Sequence, residues 1–174
     1  LFALVGQGPR RTWVETAVRV RGLNNVTLLP RQPAELLGES LAAADLHLAT
    51  MRAGLCGLVV PSKVYGIVGA GRPCVFLGPR ASEAAALIEG LGCGEVLEAV
   101  DGAALATCLA GWASDPARVA RAAAAAQSPA AQEAVALETA VDAFDALLRR
   151  VMGTNVVAFP SELGEAAPSV AVGR

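Results

Sequence analysis

Lys63 is the only lysine of the chain, and it follows a Pro-Ser pair inside the stretch VVPSKVYGIVGAGRPCVFLGP, Val59 to Pro79. A proline ahead of a serine fixes how the backbone approaches a helix, and a serine hydroxyl there can accept a hydrogen bond from an amide one turn on. Ser62 is therefore the expected N-cap of a helix opening at Lys63. Amides left open at such a start, together with the helix dipole, favour an anion, and Lys63 adds a mobile positive charge. Phosphate is the natural candidate. The plain alternative is an ordinary capped helix with a solvated lysine, but the surroundings weigh against it. No Asp or Glu occurs from Leu46 to Ser82, while Arg52, Lys63, Arg72 and Arg80 all fall there, in a chain with a formal net charge of -2.

A second candidate lies in VGQGPRR, Val5 to Arg11, where Gly6 and Gly8 stand between a short apolar run and a helical one. Glycines at a strand-to-helix turn let the backbone approach a ligand, and Arg10 or Arg11 could reach a phosphate. The third glycine of a dinucleotide fingerprint is missing. Gly78 and Pro79 end another apolar run and can line the same crevice, with Ser82 and Glu83 opening the helix after it. Gly69 to Pro73, GAGRP, reads as a helix stop followed by a strand start.

These residues need a scaffold, and the pattern supplies one. Apolar runs of strand length alternate with stretches of helical period, the signature of a parallel α/β sheet. The strands are LFALVG, NVTLL, DLHLAT, PCVFLG and GEVLE; the helices between them are RRTWVETAVRVRG, PAELLGESLAAA, PSKVYGIVGA and SEAAALIEGL. From Asp101 the pattern turns helical, with Asp101 and Asp115 as N-caps and a proline after the second. A final amphipathic helix is expected over 132–151. The expected fold is a Rossmann-like parallel sheet flanked by helices, spanning 1–152 with a helical finish, and 153–174 as a flexible tail. Ligands of such sheets sit beyond the carboxyl ends of the strands, where the Thr50 to Val60 loop and the Gly6 to Arg11 turn both fall.

Composition excludes several functions. With 174 residues and 54% hydrophobic content a full core is within reach, and the near-neutral charge argues against nucleic-acid binding. The longest charge-free run, Gly102 to Ser114, is too short for a membrane span of about 20 residues. Cys56, Cys74, Cys93 and Cys108 form no C-x-x-C and read as buried reduced thiols. One histidine, His47, sits in an apolar run and reads as packed; with it alone neither a metal site nor a Ser-His-Asp or Cys-His arrangement can be assembled.

The order FALVGQGP, NVTLLPRQPAELLGESLAAADLHLAT, GLVVPSKVYGIVGAGRPCVFLGP, SEAAALIEGLGCGEVLE resembles the C-terminal domain of GT-B-fold glycosyltransferases. The subgroup is the family 4 type of colanic-acid-like exopolysaccharide synthesis, and the likeness runs from about Leu1 to Ala126. The resemblance implies a donor-binding domain for a UDP- or GDP-linked sugar, incomplete at its N-terminus because the family's first strand and glycine-rich loop would precede Leu1, with no metal required. The acceptor, lipid-linked or polysaccharide, would be held by an N-terminal domain outside this chain, which alone would be inactive. It further implies retention of configuration and work at the cytoplasmic membrane face, with peripheral association of the full-length protein. By the same resemblance Arg31 and Gln32 flank the base. Ser62, Lys63 and Val64, with Tyr65 and Gly66 following, hold the diphosphate, and the loop of Arg52 and Gly54 approaches the sugar. One departure stands out: where many members carry two glutamates eight positions apart, this chain has Leu58 and Gly66, so no catalytic acid or base is assigned. Two rivals remain open, a nucleotide-sugar 2-epimerase of the same architecture and a non-catalytic nucleotide-binding module.

Overall fold

The computed structural model describes residues 1–98 and 101–152. Among these residues are five strands, β1 (Phe2–Val5), β2 (Val26–Leu29), β3 (His47–Thr50), β4 (Cys74–Leu77) and β5 (Gly94–Leu97). Eight helices accompany them: α1 (Arg11–Val20), α2 (Leu37–Ala42), α3 (Lys63–Gly69), α4 (Glu83–Leu91), α5 (Gly102–Ser114), α6 (Pro116–Ala126), α7 (Pro129–Val135) and α8 (Leu137–Met152). All pairings are parallel, so this is an α/β protein of the Rossmann-like kind. The strands divide into two sheets, β1-β2 and β3-β4-β5.

Strand periodicity explains the core of the larger sheet. Successive side chains of β4 point to opposite faces. Cys74 and Phe76 meet Val64, Ile67 and Val68 of α3 and Ala84, Ala85 and Ile88 of α4 on one side. Val75 meets Trp112 of α5 and Ala122 of α6 on the other. β4 is therefore buried on both faces, which is why CVFL is apolar without alternation. Two glycines admit this packing. A Cβ on Gly78 would lie 2.6 Å from the Phe76 ring and 3.3 Å from the Met51 carbonyl. A Cβ on Gly94 would collide with the Cys74 carbonyl across the β4–β5 ladder.

Helix ends follow the expected chemistry at most positions. Asp101 Oδ1 accepts from the Ala104 amide at 2.8 Å, and Asp115 Oδ1 from the Arg118 amide at 2.8 Å, with Pro116 at the first helical position. Gly71, at φ +66°, closes α3: its amide donates to the Val68 carbonyl and that of Arg72 to the Ile67 carbonyl, the paired bonds of a left-handed helix stop. A side-chain amide finishes two more ends. Gln132 donates to the Val68 carbonyl at 3.0 Å and the Ala126 carbonyl at 2.8 Å, fixing α7 against α3 and α6.

Two expectations are corrected. The single helix expected over 132–151 is two, because Ala136 takes an extended backbone (φ -67°, ψ 139°) between α7 and α8. Ser62 does not cap α3; it is already helical (φ -54°, ψ -23°) and its hydroxyl makes no capping bond. The Pro61 carbonyl instead accepts from the Val64 amide at 3.0 Å, so one amide that was to face a ligand is used by the chain itself. The expected tail at 153–174 lies outside the described residues.

Residues 1–136 form one compact unit and a second begins at Leu137. Within the second, α8 aligns Leu137, Val141, Phe144, Leu148 and Val151 along one stripe, while Arg149 donates to Asp145 one turn back at 2.6 Å.

Candidate functional site

Parallel strands put all their carboxyl ends on one edge of each sheet, and the candidate residues sit there. Gly6 and Gly8 follow β1, Arg31 and Gln32 follow β2, and Arg52 and Gly54 follow β3. Ser62, Lys63, Val64, Tyr65 and Gly66 lie further on, at the start of α3.

The β1 turn forms an open depression of about 270 Å³ lined by Gly6, Gln7, Gly8, Pro9, Arg10 and Arg11. Gly6 takes φ +129°, a conformation open to glycine and strained for other residues. Arg11 is committed to the protein. Its Nη1 donates to the Gly6 carbonyl at 2.7 Å and the Leu29 carbonyl at 3.1 Å, while Nε pairs with Glu15 at 2.8 Å. Those bonds tie the carboxyl ends of β1 and β2 together. Arg10 is exposed and makes no ion pair among the described residues. After β2, the half-buried Gln32 side chain donates to the Pro30 carbonyl at 3.0 Å, and Arg31 is exposed.

After β3 the chain makes a single 3₁₀ turn, Ala53–Leu55, and Gly57 then takes φ +79°. The acid-free stretch resolves into two kinds of cation. Arg80 is structural: its guanidinium pairs with Glu89 and donates to the Val96 carbonyl at 3.1 Å. Arg52, Lys63 and Arg72 have no carboxylate within ion-pair distance among the described residues. Arg52 and Lys63 are exposed, so their charges are available to an anion; Val64 is fully buried and its amide is bonded to the Pro61 carbonyl. Gly66 packs close to α2, where a Cβ would stand 3.3 Å from Leu41 Cδ1. Leu58 is 79% exposed. No hydrogen bond among the described residues joins the β1–β2 group to the group after β3.

His47 is used structurally, donating from Nε2 to the Leu41 carbonyl at 2.8 Å. All four cysteines are free; Cys74 and Cys93 are buried, Cys56 and Cys108 half-buried. Burial, then the neighbouring Cys93, pushes the Cys74 thiol up to about 12. Among the described residues no cluster of His, Cys, Asp and Glu could hold a metal ion, and no helix is long and apolar enough to cross a membrane.

One polar cluster among the described residues was missed in the sequence. Glu95 Oε2 accepts from Arg118 at 2.7 Å, Trp112 Nε1 at 2.9 Å and Cys108 Sγ at 3.2 Å, and the Arg118 guanidinium lies 3.9 Å over the Trp112 ring. Burial raises the Glu95 carboxyl, but the bonds from Trp112, Cys108 and Arg118 outweigh it and hold the group below its ordinary value. The only available signal was a lone acid inside an apolar strand. The cluster pins α5 and α6 to β5.

No family model matches the chain. It is similar to a protein named as a colanic acid biosynthesis glycosyl transferase in Escherichia coli (strain K12), with 33% identity over 89 residues. The match covers 51% of this chain and 22% of that protein, so the chain spans about a fifth of the curated relative it matches.

Proposed function

We propose that this chain is the nucleotide-sugar-binding portion of a GT-B, family 4 type glycosyltransferase. It contributes to moving a hexose from a UDP- or GDP-linked donor to a lipid-linked or polysaccharide acceptor in envelope glycan synthesis. The observation that carries the reading is the 33% identity to a protein named as a glycosyl transferase. The electrostatics agree with it: Arg52 and Lys63 are exposed, lack carboxylate partners among the described residues and follow the carboxyl end of β3.

In this reading Arg52 and Lys63 neutralise the diphosphate, and charge developing on the departing nucleotide is met by cations already in place. The Gly6 to Gly8 turn lets the backbone come near the donor, and Arg31 and Gln32 flank the base. Lys63 acts as a point charge rather than through a capped helix start, since Ser62 makes no cap. The reaction runs with retention at the inner membrane face, with the acceptor held by other parts of the full-length protein. Leu58 and Gly66 offer no carboxylate, which favours a second reading, a nucleotide-binding module without chemistry.

Titration calorimetry with UDP and GDP separates these. Lys63→Ala and Arg52→Ala in the full-length protein should each weaken binding about tenfold, the loss of one charge-assisted contact. Unchanged affinity in both variants would remove the diphosphate assignment. Nucleotide binding with no sugar transfer from any donor would favour the non-catalytic module.

A further inference from the structure

The loop after β3 holds few groups that can bond a ligand. From Met51 to Pro61, Arg52 is the only residue whose side chain carries nitrogen or oxygen, and a guanidinium donates hydrogen bonds without accepting them. Three backbone acceptors are spent on the turn itself: the Arg52 carbonyl accepts from the Leu55 amide at 3.0 Å, that of Ala53 from the Cys56 amide at 3.2 Å and that of Leu55 from the Leu58 amide at 3.0 Å. Leu55, Leu58, Val59 and Val60 add exposed apolar surface. No Asp or Glu stands from Leu46 to Ser82 to supply the missing acceptors.

That inventory suits a neutral hexose poorly. Each sugar hydroxyl is a donor as well as an acceptor, and an O–H that leaves water without finding an acceptor is destabilising. A carboxylate only accepts, which matches a donor-only side chain, and its two oxygens fit the guanidinium fork. Charge points the same way. Arg10, Arg31, Arg52 and Lys63 follow strand carboxyl ends, are exposed and have no carboxylate within ion-pair distance among the described residues. The diphosphate bridge of a nucleotide sugar carries one negative charge per phosphate, so the cations outnumber it.

We propose that the donor carries a hexuronate, a sugar whose C6 is a carboxylate, and that the Arg52 guanidinium reads that group. This rests on the donor-binding function proposed above and names the sugar class within it. Lys63, a point charge without a fork, serves the diphosphate alone. Arg52 has donors for the carboxylate in addition to the one that meets a phosphate. In the transfer the carboxylate is a spectator: the bond from the anomeric carbon to the diphosphate oxygen breaks, a bond to the acceptor hydroxyl oxygen forms, and the hydroxyl proton is released.

Titration calorimetry on the full-length protein compares UDP-glucuronate with UDP-glucose, UDP-galacturonate with UDP-galactose, and GDP-mannuronate with GDP-mannose. In at least one pair the uronate should bind about tenfold more tightly. Arg52→Ala changes an exposed residue and should bind both members of that pair alike, while Lys63→Ala should weaken both and keep their ratio. Equal affinities within every pair, with UDP or GDP itself bound, would overturn the uronate and leave the donor site standing. A uronate preference that survives Arg52→Ala would assign the carboxylate to another cation and overturn the role of Arg52. Failure to bind either UDP or GDP would remove the donor reading, and this inference with it.

Discussion

The Arg11 guanidinium donates to the Gly6 carbonyl at 2.7 Å, so the arginine nearest the glycine turn supports the loop's backbone instead of reaching for a ligand. Its neighbour Arg10 carries the outward charge. The adjacent pair therefore divides two tasks that the motif PRR does not distinguish.

Arg11→Ala should lower stability by about 1 kcal/mol, because hydrogen bonds from a charged donor are lost at a partly exposed site. In thermal unfolding that is a fall of about 3 °C. Arg10→Ala should leave the melting temperature unchanged and, in the full-length protein, weaken UDP binding. Equal melting temperatures for the two variants would contradict the division.

Glu95→Ala removes the acceptor shared by Arg118, Trp112 and Cys108 and should destabilise the chain by about 2 kcal/mol. Because the folded carboxyl is held below its ordinary 4.5, its contribution is present above that pH and is lost as pH falls through the folded value. The gap in melting temperature between the parent and Glu95→Gln should therefore be full at pH 7 and narrow as pH falls below the ordinary 4.5. A gap independent of pH would place the contribution outside the carboxylate.

Cys74 gives the opposite sign. Its thiol is pushed up to about 12 from 9.0, so the unfolded thiol ionises first as pH rises. The stability owed to the neutral buried thiol is complete below pH 9 and declines toward pH 12. Cys74→Ala should flatten that alkaline decline in denaturant titrations. In the folded parent, iodoacetamide should label Cys56 ahead of Cys74, as mass spectrometry of tryptic peptides would record.

Two glycines should respond in contrasting ways. Gly54 has open space around the position of a Cβ, so Gly54→Ala leaves the melting temperature unchanged, and any loss of donor affinity in the full-length protein reports contact with the sugar. Gly78→Ala forces a methyl toward the Phe76 ring and should cost about 1–3 kcal/mol.

The elements were legible because each is locally consistent: CVFL reads as a doubly buried strand, and Asp101 and Asp115 announce helix starts that the structure contains. What was not legible depends on partners distant in sequence or on a single torsion. The break at Ala136 falls within a run of good helix formers and carries neither glycine nor proline. Ser62 follows a proline as a cap would, but Pro61 supplies its own carbonyl to the Val64 amide. Glu95 draws its donors from 13 to 23 residues away, beyond the reach of any local pattern. The division into two sheets was equally hidden, since alternation gives the number of strands and not which ones pair. Of the acid-free stretch, Arg52 and Lys63 are exposed, whereas Arg80 is tied to Glu89 from outside it, a partner that local charge counting does not reveal.

Gly94 stands opposite Cys74 where a side chain has no room. Sliding β5 by one residue would present Cys93 or Glu95 to that carbonyl and turn Val96 out of its packed position. One missing carbon thus acts as an alignment notch: β5 threads into the sheet in a single frame, and Glu95 arrives beneath Trp112 and Arg118 as a result.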